Sequence, residues 1–168
     1  MTRIKENLTY TKVPALIYFC FLFVGTVIGF LFIHPQAEGG VSDLSKISAD
    51  NFWKIFFNNA LIIVVIYFSA LFTKMVAWTI YAMNGIRHGI VLGWIIRYDL
   101  HLIALMLPHG FFEIPCILLT GIIVQRGKAL SRERPMQFFK YLILHILSIG
   151  FCAFIEAFVT PAFSDAIR

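Results

Sequence analysis

An uncharged apolar run over residues 14–33, PALIYFCFLFVGTVIGFLFI, constrains this chain more than any other feature of the sequence. A helix needs about 20 apolar residues to cross the hydrocarbon core of a bilayer. Elsewhere the chain is similarly apolar: 60% of its 168 residues are hydrophobic and 14% are charged, whereas soluble domains carry about 25% charged residues. The polar surface is too small for a water-soluble globule. We therefore expect an all-α polytopic helix bundle, a single integral domain over residues 1–168 that is multi-pass in the cell membrane.

Five transmembrane helices are expected, and the limits of the middle three are open. The first covers about 14–33 and the last about 139–160. In one division the middle spans cover 55–73, 75–96 and 100–125, with a turn at 97–99. In the other they cover 55–83, 86–107 and 108–125. That second division uses Asn84-Gly85, the first strong turn signal, and an outer turn at 108–110.

Positive charge predicts the orientation of these spans. Residues 126–140 carry five basic residues and one acidic residue, and short loops rich in Lys and Arg lie in the cytoplasm. Arg3, Lys5 and Lys12 place the N-terminus there too, so an even number of crossings, four, separates the two regions. A fifth span puts the C-terminus outside. The net charge of +5 comes from these flanks and favours membrane orientation over nucleic-acid binding.

Glycines recur every four residues in two predicted helices. Gly25 and Gly29 do so in the first span, and Gly85, Gly89 and Gly93 do so later in the chain. Small residues at this spacing let helix backbones approach closely in lipid. The pattern favours a packing seam, and the alternative is backbone that lines a substrate path.

Ionisable residues within apolar segments are the candidates for a functional site. Charges embedded in a membrane face the bundle interior or a wet cavity and mark functional sites by default. These residues are Arg87, His88, Arg97, Asp99, His109, Glu113, His145 and Glu156.

His109 and Glu113 are four positions apart and share one face of a helix. Pro108 suits the first turn of that helix. Glu156, at the outer end of the last span, would lie at a similar depth, so a cluster of one His and two Glu is possible. It would be a polar contact between helices, a gated path or binding site for a substrate, or a metal or acid/base centre. For the last, zinc is the candidate cofactor, or the two carboxylates share a proton.

Other motifs of catalysis are missing from the sequence. HExxH, the strong zinc signature, does not occur, and the three cysteines lie singly in apolar segments. A phosphate-binding glycine loop is also missing, so a step driven by ATP would require a partner protein.

Four segments in order resemble the signatures of the stage II sporulation protein M family, over roughly residues 55–161. They are FFNNALIIV at 56–64, Asn84-Gly85, LPHGFFEIP at 107–115 and IEAFVTP at 155–161. Members of the family are multi-span membrane proteins. The resemblance marks as family positions Asn58 or Asn59, Asn84, Gly85, Pro108, His109, Gly110, Glu113, Glu156 and Pro161.

The resemblance also implies a function. Short members of the family accompany circular bacteriocins, where they are linked to maturation, export or immunity beside an ATPase. We therefore expect a component of such a system that acts with partner membrane proteins and an ATPase on a hydrophobic peptide, with a homo-oligomer possible. One alternative is a membrane-embedded hydrolase or peptide cyclase that uses His109, Glu113 and Glu156. Another is a scaffold for peptidoglycan-remodelling partners, as implied by the sporulation member.

Overall fold

A computed structural model describes residues 2–33, 49–98, 100 and 103–160, with side chains for 11–33, 49–98, 100, 103 and 110–160. Within this part of the chain the elements are helices, which confirms the all-α prediction. Their bounds are α1 Thr2–Phe32, α2 Ala49–Phe72, α3 Lys74–Tyr98, α4 Ile103–Leu119, α5 Gly121–Glu133 and α6 Pro135–Phe154. A π-helical segment, Ile155–Val159, continues α6.

Four described segments are long and apolar enough to cross a membrane: Thr11–Phe32, Ala49–Phe72, Gly110–Glu133 and Pro135–Val159. The third joins parts of α4 and α5, which only Thr120 separates. Large apolar side chains cover the outer surface; Phe72 is 82% exposed and Met136 is 80% exposed. A surface this apolar fits lipid rather than water. The α3 helix has 25 residues and does not belong to these four segments.

The break between α2 and α3 falls at Thr73. Its backbone N–H donates to the carbonyl of Ser69 at 2.8 Å, and its hydroxyl accepts from the N–H of Met75 at 3.3 Å. The helix bounds therefore follow the division that separates spans near residue 74, while the limits of the spans within the membrane stay predictions.

Neither turn of the second division is formed. Asn84 and Gly85 lie in the interior of α3, and residues 108–110 lie inside α4. Pro108 is the sixth residue of α4 and not part of its first turn, because the helix begins at Ile103. Open backbone is costly in lipid, since no water replaces the lost hydrogen bonds. A glycine that would open a turn in water can therefore serve helix packing here.

Backbone contact along the glycines joins α1 to α3. Gly25 faces the backbone of Ile86, and Gly89 faces that of Leu22. A Cβ added at Gly89 would collide with the Leu22 carbonyl and stand 2.8 Å from the Thr26 nitrogen. Residue numbers rise together along the contact, so the two helices run parallel. The packing seam predicted from the glycine spacing is confirmed.

The segments α4, α5 and α6 form an antiparallel hairpin that turns at Arg134. The rings of Phe112 and Phe151 are 5.7 Å apart near its open end, and Gly127 contacts Phe138 near the turn. The basic segment 126–140, expected as a loop, is therefore helical apart from Arg134.

The remaining core joins α2 to this hairpin and to α3. The rings of Tyr67 of α2 and Phe138 of α6 lie edge to face, with centroids 5.3 Å apart. Both residues belong to a buried hydrophobic cluster with members from α2, α4, α5 and α6. A second cluster brings Tyr81 of α3 against Ile117 and Val124. These two clusters fill the interior of the bundle toward the end where Thr73 and Arg134 lie.

Candidate functional site

Glu113 is a carboxyl group in the interior of the bundle. It lies on α4 and its side chain has no exposed surface. The helix places it inward because its neighbours Cys116 and Ile117, three and four positions on, are also buried. Burying a carboxylate in an apolar interior is costly, so the position is one that packing alone does not explain.

A second buried polar pair reaches the same region from α1 and α3. The hydroxyl of Tyr18 lies 2.6 Å from Nδ1 of His88, and both side chains are buried. Which of the two donates depends on the tautomer of the imidazole. Glu113 and Arg87 are both within electrostatic range of the Tyr18 hydroxyl. The site therefore draws on α1, α3 and α4.

Buried amides lie on two further faces of this interior. Asn84 of α3 is 6% exposed and donates from Nδ2 to the carbonyl of Ile80 at 2.9 Å. On α2, Asn59 is 5% exposed and accepts from Nδ2 of the exposed Asn58 at 3.2 Å. Of the two asparagines that the sequence left open, Asn59 faces the interior.

Glu156 lies in the π-helical segment at the end of α6 and is half-buried. Thr160 donates from its hydroxyl to the carbonyl of Ile155 at 3.3 Å, five positions back. Cys152, one turn before Glu156, is within electrostatic range of both Glu113 and Glu156. Glu113 and Glu156 therefore both act electrostatically on the same residue of α6. Single turns of π-helix are frequent at functional sites.

An apolar groove runs between α4 and α6 beside these residues. Its volume is about 460 Å³. Cys116, His145, Ser148 and Cys152 are the weakly polar residues among walls made of aromatic and aliphatic side chains. Cys116 is also within electrostatic range of Glu113, so the groove and the buried carboxyl share one region of the bundle.

The model of the stage II sporulation protein M family matches residues 17–161. The chain belongs to this family. An uncharacterized protein of Methanocaldococcus jannaschii is 27% identical over 169 residues, and the match covers 89% of this chain and 95% of that protein. No solved structure matches the chain.

Only some of the family positions in this member of the stage II sporulation protein M family face the interior of the bundle. Asn59, Asn84 and Glu113 are buried, whereas Asn58 is exposed. Gly85 serves the seam, because a Cβ there would collide with the Tyr18 carbonyl. Among the described residues, the nearest neighbour of a Cβ added at Gly110 is Ile114 Cδ1 at 3.8 Å, an ordinary van der Waals contact.

The zinc hypothesis depends on residues outside the described part. His109 stands one turn before Glu113 on α4, but its side chain lies outside the described residues, as does Pro161. Among the side chains that the structure describes, no three His, Cys, Asp or Glu residues are placed to hold a metal ion. The His109, Glu113 and Glu156 cluster stays a prediction.

Two buried tyrosines that contact histidines were not predicted from the sequence. Tyr18 is fully buried against His88, and Tyr67 of α2 meets Nδ1 of His145 at 2.7 Å. The same Nδ1 also lies 2.9 Å from the carbonyl of Tyr141, one turn back on α6. A tyrosine in an apolar span is the signal that could have found both, because a buried phenol requires a hydrogen-bond partner.

Proposed function

We propose that this chain is a five-span membrane component of a system that matures, exports or confers immunity to a hydrophobic peptide of the circular bacteriocin type. It acts with partner membrane proteins and an ATPase. The observation that carries the proposal is the fully buried carboxyl of Glu113, which lies among α1, α3 and α4 beside an apolar groove. Such a carboxyl in a membrane bundle suits a path or binding site better than structural packing.

The packing directions support five spans, and the basic residues near the N-terminus and in 126–140 support a cytoplasmic N-terminus. α1 and α3 run parallel, whereas Tyr81 of α3 meets Thr120 and His88 lies nearer Glu113, so α3 runs antiparallel to α4. At 1.5 Å per residue, α3 is about 37 Å long and exceeds the roughly 30 Å hydrocarbon core. Its polar residues Asn84 and His88 are buried against other helices, which lowers the cost of inserting a helix of modest hydropathy.

The groove supports a hydrophobic peptide as the ligand. Its walls are apolar, and the few polar atoms come from a thiol, an imidazole and a hydroxyl rather than from charged groups. An extended or helical apolar segment would cover these walls and retain the hydrogen-bonding capacity of its backbone toward Ser148 and His145.

A catalytic role is the second candidate, supported by the electrostatic influence of both Glu113 and Glu156 on Cys152. If the two carboxyl groups come within hydrogen-bond distance of each other when the peptide binds, they can act as acid and base on a peptide bond. In that case the chain is a hydrolase or peptide cyclase, with His109 as a further participant. A scaffold for peptidoglycan-remodelling partners is supported by family membership alone.

The deciding experiment compares Glu113→Gln with Glu133→Gln in cells that carry the chain together with its neighbouring genes. Glu133 is exposed at the end of α5 and is the matched control for loss of one carboxylate. We expect Glu113→Gln to abolish release of mature peptide at unchanged protein level and Glu133→Gln to leave it intact. Mass spectrometry of cell and medium then separates the candidates: linear peptide indicates lost catalysis, and mature peptide retained in cells indicates lost export. Normal release from Glu113→Gln cells would refute both.

A further inference from the structure

Arg87 is an exposed cation in the middle of α3. By helix geometry it lies about 20 Å from Lys74 and about 17 Å from Tyr98 along the axis. If α3 crosses the bilayer as proposed above, the guanidinium lies close to the centre of a hydrocarbon core of about 30 Å. Neither surface of the membrane is near enough for the side chain to reach headgroups.

The rest of the same face of α3 is apolar. Exposed residues recur at Val76, Met83 and Val91, spaced by the helical repeat on either side of Arg87. The opposite face, with Gly85, Gly89 and Gly93, is covered by α1. A stripe that is apolar except for one cation at its centre is a poor lipid-facing surface, because Arg at mid-bilayer costs at least about 2.5–3.5 kcal/mol.

Within the described part of the chain, no carboxylate forms an ion pair with Arg87. Tyr18 lies within electrostatic range of both Arg87 and Glu113, but a phenol does not offset the charge, and Glu113 is fully buried whereas Arg87 is exposed. Charges inside membranes pair with one another or face a wet cavity. The stripe therefore lacks the counter-charge that its central residue requires.

A second copy of the chain does not supply that charge from its described surface. Its exposed carboxylates, Asp50 and Glu133, stand at helix ends, about 15 Å or more from the bilayer centre. Glu113 is buried and Glu156 is half-buried at the end of α6. Among the described residues of either copy, therefore, no exposed carboxylate stands at the depth of Arg87, and a different polypeptide is the source that the proposal below names.

We propose that the exposed face of α3, formed by Val76, Met83, Arg87 and Val91, docks a transmembrane helix of a partner protein that carries one carboxylate at mid-bilayer depth. The apolar residues pack against the partner helix, and Arg87 forms the ion pair that fixes its register and identity. The inference rests on the five-span topology and gives the predicted partner membrane protein a binding face and a chemical signature.

The test uses synthetic leucine–alanine transmembrane peptides of about 20 residues with Asp, Leu or Lys at the central position. Each carries a dansyl group and is mixed with the full chain in phosphatidylcholine vesicles. Energy transfer from Trp78 and Trp94, which flank Arg87 on α3, reports association. We expect the Asp peptide to associate at least about tenfold more tightly than the Leu peptide, a difference of about 1.4 kcal/mol.

Variants identify the residue responsible. Arg87→Leu should remove the preference for the Asp peptide, and Arg87→Asp should transfer it to the Lys peptide. Lys54→Leu is the control, because Lys54 is an exposed cation near the beginning of α2 and its loss should change nothing. Equal association of all peptides with the wild-type chain overturns the inference. So does a preference that survives in Arg87→Leu, or self-association of the chain that the peptides do not compete with.

Accessibility of position 87 separates failure of this inference from failure of the topology. In a Cys20→Ser background, the thiol of an Arg87→Cys variant should not react with a membrane-impermeant maleimide. A thiol that reacts readily shows that position 87 faces water and overturns the docking face; labelling of Thr73→Cys and Arg134→Cys on opposite sides of the membrane then shows that the topology fails too. An unreactive thiol together with peptides that bind equally overturns the docking face alone.

Discussion

At the scale of single residues, tyrosines connect the helices of this bundle. Three fully buried or nearly fully buried tyrosines each contact a polar side chain of another helix: Tyr18 with His88, Tyr67 with His145 and Tyr81 with Thr120. Lipid supplies no hydrophobic drive for helices to associate, so hydrogen bonds of about 0.6–2 kcal/mol carry real weight. Each pair also leaves an aromatic ring in the core.

Tyr18→Phe should lower the free energy of unfolding by about 1 kcal/mol, because the hydrogen bond to His88 is lost while the ring still packs. A double-mutant cycle with His88→Ala, measured by reversible unfolding in mixed micelles, should give a coupling of about 0.6–1.7 kcal/mol. Tyr141→Phe, at an exposed tyrosine of α6, is the control and should be neutral. Additive effects of the two substitutions would contradict the pairing.

At the scale of elements, α1 and α3 form a unit that is joined backbone to backbone. Glycines from both helices alternate along the contact, and Arg97 closes its far end by donating to the carbonyls of Phe30 and Leu31 at 2.6 and 3.2 Å. The cation near the end of α1 also interacts favourably with the helix dipole. The two helices are therefore in close contact from Tyr18 to Leu31 of α1.

Gly89→Ala should destabilise the chain by about 1–3 kcal/mol, because the new methyl group meets backbone that cannot move aside without separating the helices. Gly110→Ala adds the same group where the nearest atom among the described residues is 3.8 Å away, so its melting temperature should equal or exceed the wild-type value. Thermal unfolding of both variants in detergent checks the pair. Equal melting temperatures would refute the seam as a stabilising contact.

Periodicity and turn chemistry predict different parts of these elements. The four-residue repeat of Gly25, Gly29 and Gly85 onward predicted the seam, since spacing on a helix is a local property. Asn84-Gly85 was misread as a turn because turn propensity is calibrated in water, where open backbone finds hydrogen bonds. In lipid no water is present to form those hydrogen bonds, so the helix continues through the glycine. The glycine packs against α1, which lies more than one span away in sequence, so no local pattern reveals that contact.

At the scale of the whole molecule, alternating helix directions fix which connections share a side of the membrane. Thr73 and Arg134 both belong to the end of the bundle that the two core clusters close, and exposed basic residues such as Lys74 and Lys128 gather there. Asp50, at the beginning of α2, lies at the other end. The positive-inside rule assigns the basic end to the cytoplasm.

Single-cysteine variants in a Cys20→Ser background test this arrangement. With an impermeant maleimide added to intact cells, Asp50→Cys should be labelled, whereas Thr73→Cys and Arg134→Cys should be labelled only after the membrane is opened. The reason is that, in the five-span topology proposed above, α3 and the α4–α5 segment each cross once between the last two positions. If Thr73→Cys and Arg134→Cys prove to lie on opposite sides, α3 does not cross and the five-span topology is wrong.

Composition and the resemblance predicted the class, the family and most buried polar residues of the site, including Asn84, His88 and Glu113. They did not place Tyr18 in it. Its partner His88 is 70 positions away, and no local pattern carries information about such a contact. The π-helical turn at Glu156 was also unforeseen, because one extra residue in a helical turn leaves the hydrophobic pattern nearly unchanged.

The parallel seam between α1 and α3 has a consequence for biogenesis. About 50 residues separate the end of α1 from the glycines of α3, and ribosomes add about 5–20 residues per second, so roughly 3–10 s pass before those glycines are made. During this interval the face of α1 that carries Gly25 and Gly29 contacts lipid or the insertion machinery, because α3, its partner in the folded chain, has not yet been made. In the five-span topology proposed above, the seam between α1 and α3 therefore cannot form before α3 has emerged from the translocon.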